Sequence, residues 1–148
     1  MRVVLQRVSR ASVAVDDRPI AEIGEGALLL VAAGADDADG EPERLAEKTA
    51  RLRVFRDDEG RMNRSIADVA GEALVVSQFT LYADVRRGRR PSWAGAAPPE
   101  VAEGRVDAYA RALEALGVPV ARGRFGADMQ VELVNDGPVT ILLDARDL

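Results

Sequence analysis

Ala27-Leu28-Leu29-Leu30-Val31-Ala32-Ala33 is a near-continuous apolar run that follows the turn Gly24-Glu25-Gly26. A half-solvated strand would alternate apolar with polar residues, whereas an unbroken apolar run of this length is typical of a strand buried on both faces. The run therefore predicts a strand with packed side chains on each side of it.

Strand signals continue on both sides of this run. Before it, residues 3–6 and 12–15 alternate in hydrophobicity with a turn between them, and residues 20–23 form a short strand after the turn Asp16-Asp17-Arg18-Pro19. After it, the most strand-like segment is residues 73–82, and shorter strands are expected at residues 54–56, 118–120, 129–134 and 139–143. Strands therefore dominate the predicted fold.

Two segments have the residue spacing of amphipathic helices. Pro42 suits the first turn of a helix, in which Leu45, Thr49 and Leu52 share one face. A second helix is expected to start at Pro98-Pro99 and to end at Gly117. Its predicted apolar positions are Val101, Val106, Tyr109, Leu113 and Leu116. Together with the strands, these helices predict an α/β, β-rich fold in which a mixed sheet is layered against helices.

The composition bounds the class of protein. The chain has 148 residues, of which 47% are hydrophobic and only 4% aromatic, so we expect one domain over residues 1–148 with a core of Val, Leu, Ile and Ala. No apolar run approaches the roughly 18 residues of a membrane span, and Arg7 and Arg10 interrupt the N-terminal apolar segment. We therefore expect a soluble, cytoplasmic protein.

The chain contains neither histidine nor cysteine. This removes the usual general base near neutral pH, the Ser-His-Asp and Cys-His nucleophiles, and the His- and Cys-based zinc sites. Four acidic residues, Asp128, Glu132, Asp136 and Asp144, match no metal-ligand spacing and are interpreted as surface or turn residues. We therefore expect no metal and no cofactor. Any chemistry has to come from hydroxyls, carboxylates, arginines, backbone amides or the substrate itself.

The net charge of −5 argues against broad, nonspecific binding to nucleic acid. Locally, however, Arg86-Arg87-Gly88-Arg89-Arg90-Pro91 concentrates positive charge just before Trp93. These arginines cannot all pair within the chain, so they could bind phosphates while Trp93 offers a stacking face. The alternative is an ordinary solvated loop.

The segment Ser77-Gln78-Phe79-Thr80 is the first candidate for a catalytic site. A strand end that places two hydroxyls, an amide and several backbone N–H groups beside a cleft could stabilise an oxyanion without any titratable side chain. The alternative is a strand with Ser and Thr in ordinary ladder positions.

The segment Asn135-Asp136-Gly137-Pro138-Val139-Thr140 is the second candidate. Proline cannot donate to a strand ladder, so Pro138 marks an edge, a bend or a bulge. Gly137 would allow a ligand to approach the main chain closely. The alternative is a simple hairpin turn.

These segments together resemble the D-aminoacyl-tRNA deacylase family. The resemblance covers nearly the whole chain and is specific because its blocks occur in order. The blocks are Met1-Arg2-Val3-Val4-Leu5-Gln6-Arg7-Val8, Ser77-Gln78-Phe79-Thr80-Leu81-Tyr82-Ala83-Asp84, Gly88-Arg89-Arg90-Pro91-Ser92, Ala97-Pro98-Pro99, Gly123-Arg124-Phe125-Gly126-Ala127-Asp128-Met129 and Val134-Asn135-Asp136-Gly137-Pro138-Val139-Thr140. Trp93 departs from the phenylalanine that the resemblance leads us to expect there.

The resemblance implies mixed sheets that form a barrel-like layer packed against two helices, in β/β/α layers. It also implies a homodimer that hydrolyses the ester between a D-amino acid and the 3′-terminal adenosine of tRNA. Such an enzyme would proofread the chirality of charged tRNA. A pocket that rejects L side chains by steric clash should also accept glycine, so deacylation of mischarged glycyl-tRNA is expected as well.

The resemblance further implies roles for individual residues. The ester pocket would be lined by Ser77, Gln78, Phe79 and Thr80, and Phe125 and Met129 would lie near the terminal adenosine and the amino acid. A cis Gly137-Pro138 peptide, supported by Arg7, would enter the partner's pocket and block L side chains with its carbonyls. The concentration of positive charge before Trp93, rather than the resemblance, assigns the tRNA phosphate contacts to Arg86, Arg87, Arg89 and Arg90.

Three alternatives stay open. One is a related editing module that removes an L-amino acid, usually alanine. Another is a noncatalytic RNA-binding dimer that uses residues 86–90, here called the arginine loop. The third is a structural dimer without RNA affinity.

Overall fold

The computed structural model describes residues 1–148 and contains one large sheet, a small hairpin and two helices. The strands are β1 (Arg2–Val15), β2 (Arg18–Ile23), β3 (Gly26–Ala32), β4 (Phe55–Arg56), β5 (Met62–Arg64), β6 (Glu72–Ser77), β7 (Val120–Arg122) and β8 (Gln130–Asp144). The helices are α1 (Glu41–Arg51) and α2 (Pro99–Ala115), and short 3₁₀ helices occupy Phe79–Tyr82 and Ala145–Asp147. Neither α1 nor α2 is long and apolar enough to cross a membrane.

The long strand β1 organises the large sheet. Its residues 2–8 pair with β3 and its residues 11–15 with β2, while β8 follows almost its whole length, all in antiparallel fashion. Parallel pairing then joins β3 to β6 and β6 to β7. Because β2 also packs against β6 and β7, the six-stranded mixed sheet curls into a nearly closed barrel. The predicted mixed, barrel-like sheet with two helices is confirmed.

Strand β3 is buried on both faces, as its apolar run predicts. Leu29 and Val31 point into the larger core, which lies between the sheet and the helices. Leu28 points the other way, into a smaller core inside the curl of the sheet, together with Leu74 and Val76 of β6. A parallel pair of strands covered on both sides is the usual reason for unbroken apolar sequences.

Helix α1 covers the larger core with the predicted face. Leu45 and Thr49 are fully packed, and the Thr49 hydroxyl accepts a 2.8 Å hydrogen bond from the Tyr109 hydroxyl of α2. Pro42 occupies the first turn, where a backbone N–H has no helical partner to lose. The contact between these two hydroxyls joins the helices inside an otherwise apolar layer.

The predicted face of α2 is partly wrong. Val101 and Leu116 remain 45% and 42% exposed, whereas the buried positions are Ala102, Tyr109, Ala110 and Leu113. Small alanine side chains let α2 approach its neighbours closely, and hydrophobicity alone does not distinguish them from larger apolar residues that face solvent.

Three strand predictions also need correction. The expected turn between residues 6 and 12 does not exist, because β1 runs unbroken from Arg2 to Val15. The two expected strands at residues 129–134 and 139–143 are one strand, β8, so the simple hairpin turn at Gly137-Pro138 is wrong. Residues 118–120 are shifted, since β7 covers Val120–Arg122. The turn expected between residues 6 and 12 and the one expected at Gly137-Pro138 are both absent because β1 and β8 stay paired on either side of these positions.

Candidate active site

The strand predicted at residues 73–82 ends early, and its second half is a turn. β6 stops at Ser77, Gln78 leaves the strand conformation with φ −144° and ψ 72°, and Phe79–Tyr82 form one turn of 3₁₀ helix. The interpretation of Thr80 as an ordinary ladder position is therefore wrong. The main chain turns sharply at the carboxyl end of a buried strand, where polar groups become accessible.

The first N–H groups of this 3₁₀ turn are free. The Gln78 N–H donates to the Val31 carbonyl at 2.7 Å and the Leu81 N–H to the Gln78 carbonyl at 3.1 Å, but the N–H groups of Phe79 and Thr80 meet no acceptor within the chain. Free N–H groups at the start of a helical turn are suited to stabilise negative charge. The turn therefore presents two adjacent donors.

The hydroxyl of Thr80 has a fixed neighbour. The Gln78 side-chain amide donates to Thr80 Oγ1 through a short hydrogen bond between its Nε2 and that oxygen. An oxygen that accepts in this way keeps its own hydrogen free to donate. The hydroxyl is thus held ready as a donor, and no carboxylate or other base hydrogen-bonds to it.

A largely apolar pocket of about 340 Å³ opens beside the turn. The side chains of Phe79 and Trp93 form part of its wall, with ring centroids 5.2 Å apart in an edge-to-face arrangement of 73°. Phe125 completes the wall and also lines a neighbouring cavity of about 350 Å³. Both cavities include Ser77 at the end of β6. The arrangement is an apolar recess with free polar groups at its border.

The predicted site residues near this pocket are not all equivalent. Ser77, Gln78, Phe79 and Phe125 line the 340 Å³ pocket, whereas Thr80 and Met129 do not. Met129 is half-buried and packs against the smaller core, and its sulfur lies 2.8 Å from the position that a Cβ on Gly123 would take. The pocket is also lined by Ala96, Ala97 and Ala102. The sequence does not predict this, because nothing distinguishes alanines that line a pocket from other alanines.

Gly137 and Pro138 form an exposed bulge in β8. Gln6 of β1 pairs with Thr140 and Val8 pairs with Asn135, so the single residue Arg7 faces the whole bulge. The bulge consists of Asp136, Gly137, Pro138 and Val139, and the Gly137-Pro138 peptide bond is cis. The edge, bend or bulge expected at Pro138 is therefore present as a bulge.

The side-chain amide of Asn135 closes the base of the bulge. Its Nδ2 donates to the carbonyl oxygens of Arg7 at 2.9 Å and of Val139 at 3.0 Å, and its Oδ1 accepts from the Thr140 hydroxyl at 3.2 Å. One amide thus satisfies backbone groups on both strands where the ladder is interrupted. The sequence motif contained Asn135, but nothing in the sequence showed this function.

Arg7 is buried beneath the bulge, with 3% of its surface exposed. Its Nη1 donates to the Val54 carbonyl at 2.5 Å, and its Nε pairs with the Asp136 carboxylate at 3.0 Å. Asp136 also accepts from Arg56 at 3.2 Å, so two arginines hold one carboxylate. A buried guanidinium with these partners fixes the first residue of the bulge in place.

The arginine loop is exposed, and one of its members is already paired. Arg86 makes a two-pronged contact with Asp84, at 2.9 and 2.6 Å, and this guanidinium holds the pKa of the Asp84 carboxyl well below its usual range. Arg87, Arg89 and Arg90 form no salt bridge within the chain. The free positive charge of the loop therefore belongs to these three side chains.

The acidic residues singled out from the sequence do not assemble. The structure contains no group of three or more Asp or Glu side chains that could hold a metal ion. Asp144 lies at a turn, as interpreted, because it caps the 3₁₀ helix Ala145–Asp147, but it is not a surface side chain: it is 10% exposed and binds Arg2 and Arg146. Within one chain, the bulge is also separate from the pocket, whose lining includes neither Gly137 nor Pro138.

Comparison with known proteins identifies the family. The family model described as D-Tyr-tRNA(Tyr) deacylase matches residues 4–144. A D-aminoacyl-tRNA deacylase of Roseiflexus castenholzii is 63% identical over 98% of this chain and 92% of its own length. A D-aminoacyl-tRNA deacylase of Thermomicrobium roseum is 61% identical over 100% of this chain and 96% of its own length.

Solved structures show the same fold. One described as "c-Myc DNA Unwinding Element Binding Protein" superposes with a TM-score of 0.92 at 41% identity and covers 97% of this chain and 98% of its own. A probable eukaryotic D-amino acid tRNA deacylase, at 18% identity, superposes with a TM-score of 0.80 over 96% of this chain and 97% of its own. The chain therefore belongs to the D-aminoacyl-tRNA deacylase family, a family of ester hydrolases.

Proposed function

We propose that this chain hydrolyses the ester bond of D-aminoacyl-tRNA as a homodimer and thereby removes D-amino acids from charged tRNA in the cytoplasm. The observation that carries the proposal is the 3₁₀ turn. The turn carries two free N–H groups and the Thr80 hydroxyl, and it begins at Phe79, which lines an apolar pocket at the end of a buried strand.

The chemistry needs no histidine. An aminoacyl ester is already activated, and the neighbouring ribose 2′-hydroxyl can assist its hydrolysis. The free N–H groups of Phe79 and Thr80 would stabilise the oxyanion that forms when water attacks the ester carbonyl. Thr80 would orient the water rather than attack the ester itself. The Gln78 side chain already donates a hydrogen bond to Thr80 Oγ1, and no base accepts the proton of the Thr80 hydroxyl. Positioning would then supply most of the acceleration.

The Gly137-Pro138 bulge would reject L-amino acids in the partner's site. The dipeptide is exposed and does not line the pocket of its own chain, which supports its presentation by a second subunit. Arg7 and Asn135 hold the bulge rigidly, as a steric barrier requires. Main-chain atoms on one side of the substrate Cα would exclude the L side chain and leave room for D side chains. Glycine has no side chain to exclude, so glycyl-tRNA would be hydrolysed too.

The exposed side of β8 supports the dimer. Leu142 is 64% exposed and Val134 is 39% exposed, on either side of the bulge along the same strand. Apolar side chains exposed along a strand are typical of a surface that another chain covers. A dimer that buries this strand would bring each bulge towards the other subunit.

The remaining site residues would bind the tRNA end. Phe125 and Met129 would flank the terminal adenosine and the amino acid, and Trp93 would offer its exposed face to a base. The free arginines, Arg87, Arg89 and Arg90, would contact phosphates, with Arg86 contributing less because Asp84 already binds it.

A noncatalytic nucleic-acid-binding role is the second candidate, because one structural relative is described as binding a DNA unwinding element. The net charge of −5 disfavours it. In that case the protein would bind duplex DNA or tRNA without any loss of the ester bond.

Matched D- and L-tyrosyl-tRNA test the proposal. The purified protein should release D-tyrosine and leave L-tyrosyl-tRNA intact, and it should sediment as a dimer. Hydrolysis of the L ester with the D ester left intact would instead indicate an editing module for L-amino acids. Binding without release of either amino acid would overturn the enzymatic proposal, and a monomer would overturn rejection by the partner's bulge.

A further inference from the structure

The guanidinium of Arg2 meets the turn that carries Thr80. Its Nη1 donates to the Leu81 carbonyl at 2.8 Å, and its carbon lies 4.5 Å from the centroid of the Tyr82 ring. Its Nε donates to Asp144 at 3.0 Å. A planar guanidinium can stack and donate in two directions at once, which a lysine ammonium cannot. Arg2 therefore connects β1, the end of β8 and the far end of the turn.

Few side-chain hydrogen bonds join the turn to the rest of the chain. None of its residues is buried. Just before the turn, the Gln78 N–H donates to the Val31 carbonyl. At its last residue, the Tyr82 ring contacts the Arg2 guanidinium and the Tyr82 hydroxyl donates to Asp37 at 3.3 Å. Carbonyls at the end of a helical turn lack partners of their own, so the bond from Arg2 to Leu81 satisfies one of them.

The charges around Arg2 hold it in place. Hydrogen bonds from Arg146 lower the pKa of Asp144 below its usual range, with a further contribution from Arg2, so this carboxylate stays ionised opposite Arg2. Burial raises the pKa of Tyr82 above its usual value, with Asp37 adding to the effect, so its hydroxyl stays neutral and can donate. At neutral pH, Asp144 therefore carries its negative charge and the Tyr82 hydroxyl keeps its proton.

We propose that Arg2 is a positioning residue for hydrolysis. It would fix the end of the 3₁₀ turn and so hold the N–H groups of Phe79 and Thr80, and the Thr80 hydroxyl, in register with the ester carbonyl. The inference rests on the proposed function of that turn. Because misplacement of reacting groups by about 1 Å can cost about 10²-fold in rate, loss of this anchor should affect the chemical step.

The kinetic test compares Arg2→Gln with Arg146→Gln. Arg146 also binds Asp144, at 2.5 Å, but it makes no hydrogen bond to the turn. Without Arg146, Asp144 still accepts from Arg2, and a carboxyl with an ordinary pKa of 3.8 is ionised at neutral pH, so Arg146→Gln is a matched control. On D-tyrosyl-tRNA, Arg2→Gln should lower kcat at least about 10-fold with KM within about two-fold, since positioning acts on the transition state. Arg2→Lys should lie between Arg2→Gln and the wild type, and Arg146→Gln should keep kcat within about two-fold.

The chain's single tryptophan gives a readout that does not depend on activity. Trp93 packs edge-to-face on Phe79 of the turn, so loosening the turn should expose the indole. Acrylamide quenching of Trp93 fluorescence should therefore rise in Arg2→Gln and stay at the wild-type value in Arg146→Gln. Arg2→Lys keeps the charge and provides the second variant if Arg2→Gln fails to fold.

The outcomes separate the inference from the proposed function. Wild-type kcat in a folded Arg2 variant, or an equal loss of kcat in Arg146→Gln, overturns the positioning role even if the enzyme is a deacylase. A wild-type protein that leaves D-tyrosyl-tRNA intact overturns the proposed function itself. A selective fall in kcat together with stronger quenching of Trp93 in the Arg2 variants supports the inference.

Discussion

Arg7 Nη2 lies 2.9 Å from the position that a Cβ on Gly137 would occupy. Gly137 also has φ 121°, a backbone conformation that side-chain-bearing residues rarely adopt. The buried arginine and the glycine above it therefore fit each other only in the absence of a side chain.

Gly137→Val should abolish most D-aminoacyl-tRNA hydrolysis and lower the free energy of unfolding by at least about 1 kcal/mol, because it adds strain and displaces Arg7. Single-turnover assays and urea unfolding measure the two effects. Gly60→Ala is the control, since Gly60 has φ 78° but no atom within 4 Å of its absent Cβ. Wild-type activity in Gly137→Val would contradict close approach of substrate to this residue.

Mixed dimers should show whether the bulge acts across the interface. Thr80→Ala and Gly137→Val subunits each lose most activity as homodimers, whereas the mixed dimer formed on co-expression should regain about half of the wild-type activity per dimer. In such a dimer, one site combines an intact Thr80 with an intact Gly137 from the partner. If each bulge serves the pocket of its own chain, the mixed dimer stays inactive.

Thr80→Ala should lower the single-turnover rate on D-tyrosyl-tRNA roughly 10²-fold, the effect typical of losing one preorganised polar group. Its effect on stability should be small, because no residue of the turn is buried. Thr80→Ser keeps the hydroxyl that Gln78 holds, so it should retain most of the activity. An unchanged rate in Thr80→Ala would exclude a catalytic role for the hydroxyl.

Replacing Arg87, Arg89 and Arg90 together with glutamine should raise KM and make kcat/KM less sensitive to salt. For single-stranded RNA, each lost phosphate contact reduces the slope of log affinity against log salt by about 0.7. Arg86→Gln should change the slope least, since Asp84 already pairs with Arg86. Equal slopes in the triple variant and the wild type would show that the loop does not bind phosphate.

Tyr109→Phe should lower the free energy of unfolding by about 1 kcal/mol at neutral pH, because it removes one buried hydrogen bond to Thr49. Burial raises the pKa of Tyr109 above its ordinary 10.0, so above pH 10 the unfolded chain loses this proton first. Wild-type stability should therefore fall more steeply above pH 10 than that of the variant. Parallel curves in denaturant titrations at pH 7 to 11 would contradict this.

The sequence predicted features that depend on local pattern. The apolar run of β3 and the proline at the start of α1 both predict what the structure shows. Burial on two faces requires consecutive apolar residues, and the first turn of a helix accommodates proline, so both features can be read from adjacent residues. The residue types of Ser77-Gln78-Phe79-Thr80 also mark this segment as a candidate site. The 3₁₀ conformation of its second half is not predictable in this way, since Phe79, Thr80 and Tyr82 favour strands as the residues before them do.

The unpredicted features depend on residues far apart in sequence. Arg2 reaches Asp144 and Leu81, and Asn135 reaches Arg7, through contacts that span most of the chain. The continuity of β8 through Pro138 likewise depends on its partner β1. The local sequence shows only a proline, which lacks the backbone N–H that a strand ladder needs. Only the folded sheet brings these groups together.

The bulge at Gly137-Pro138 belongs to a strand that stays paired with β1 on both flanks. A barrier built into a paired strand is in place before the substrate arrives, and it does not depend on a hinged flap of the kind that limits turnover in many enzymes. If the bulge sorts enantiomers as proposed, rejection of an L-aminoacyl ester requires no conformational change of the protein. Throughput would then be governed by the hydrolysis step and by the exchange of tRNA, and not by the movement of the barrier.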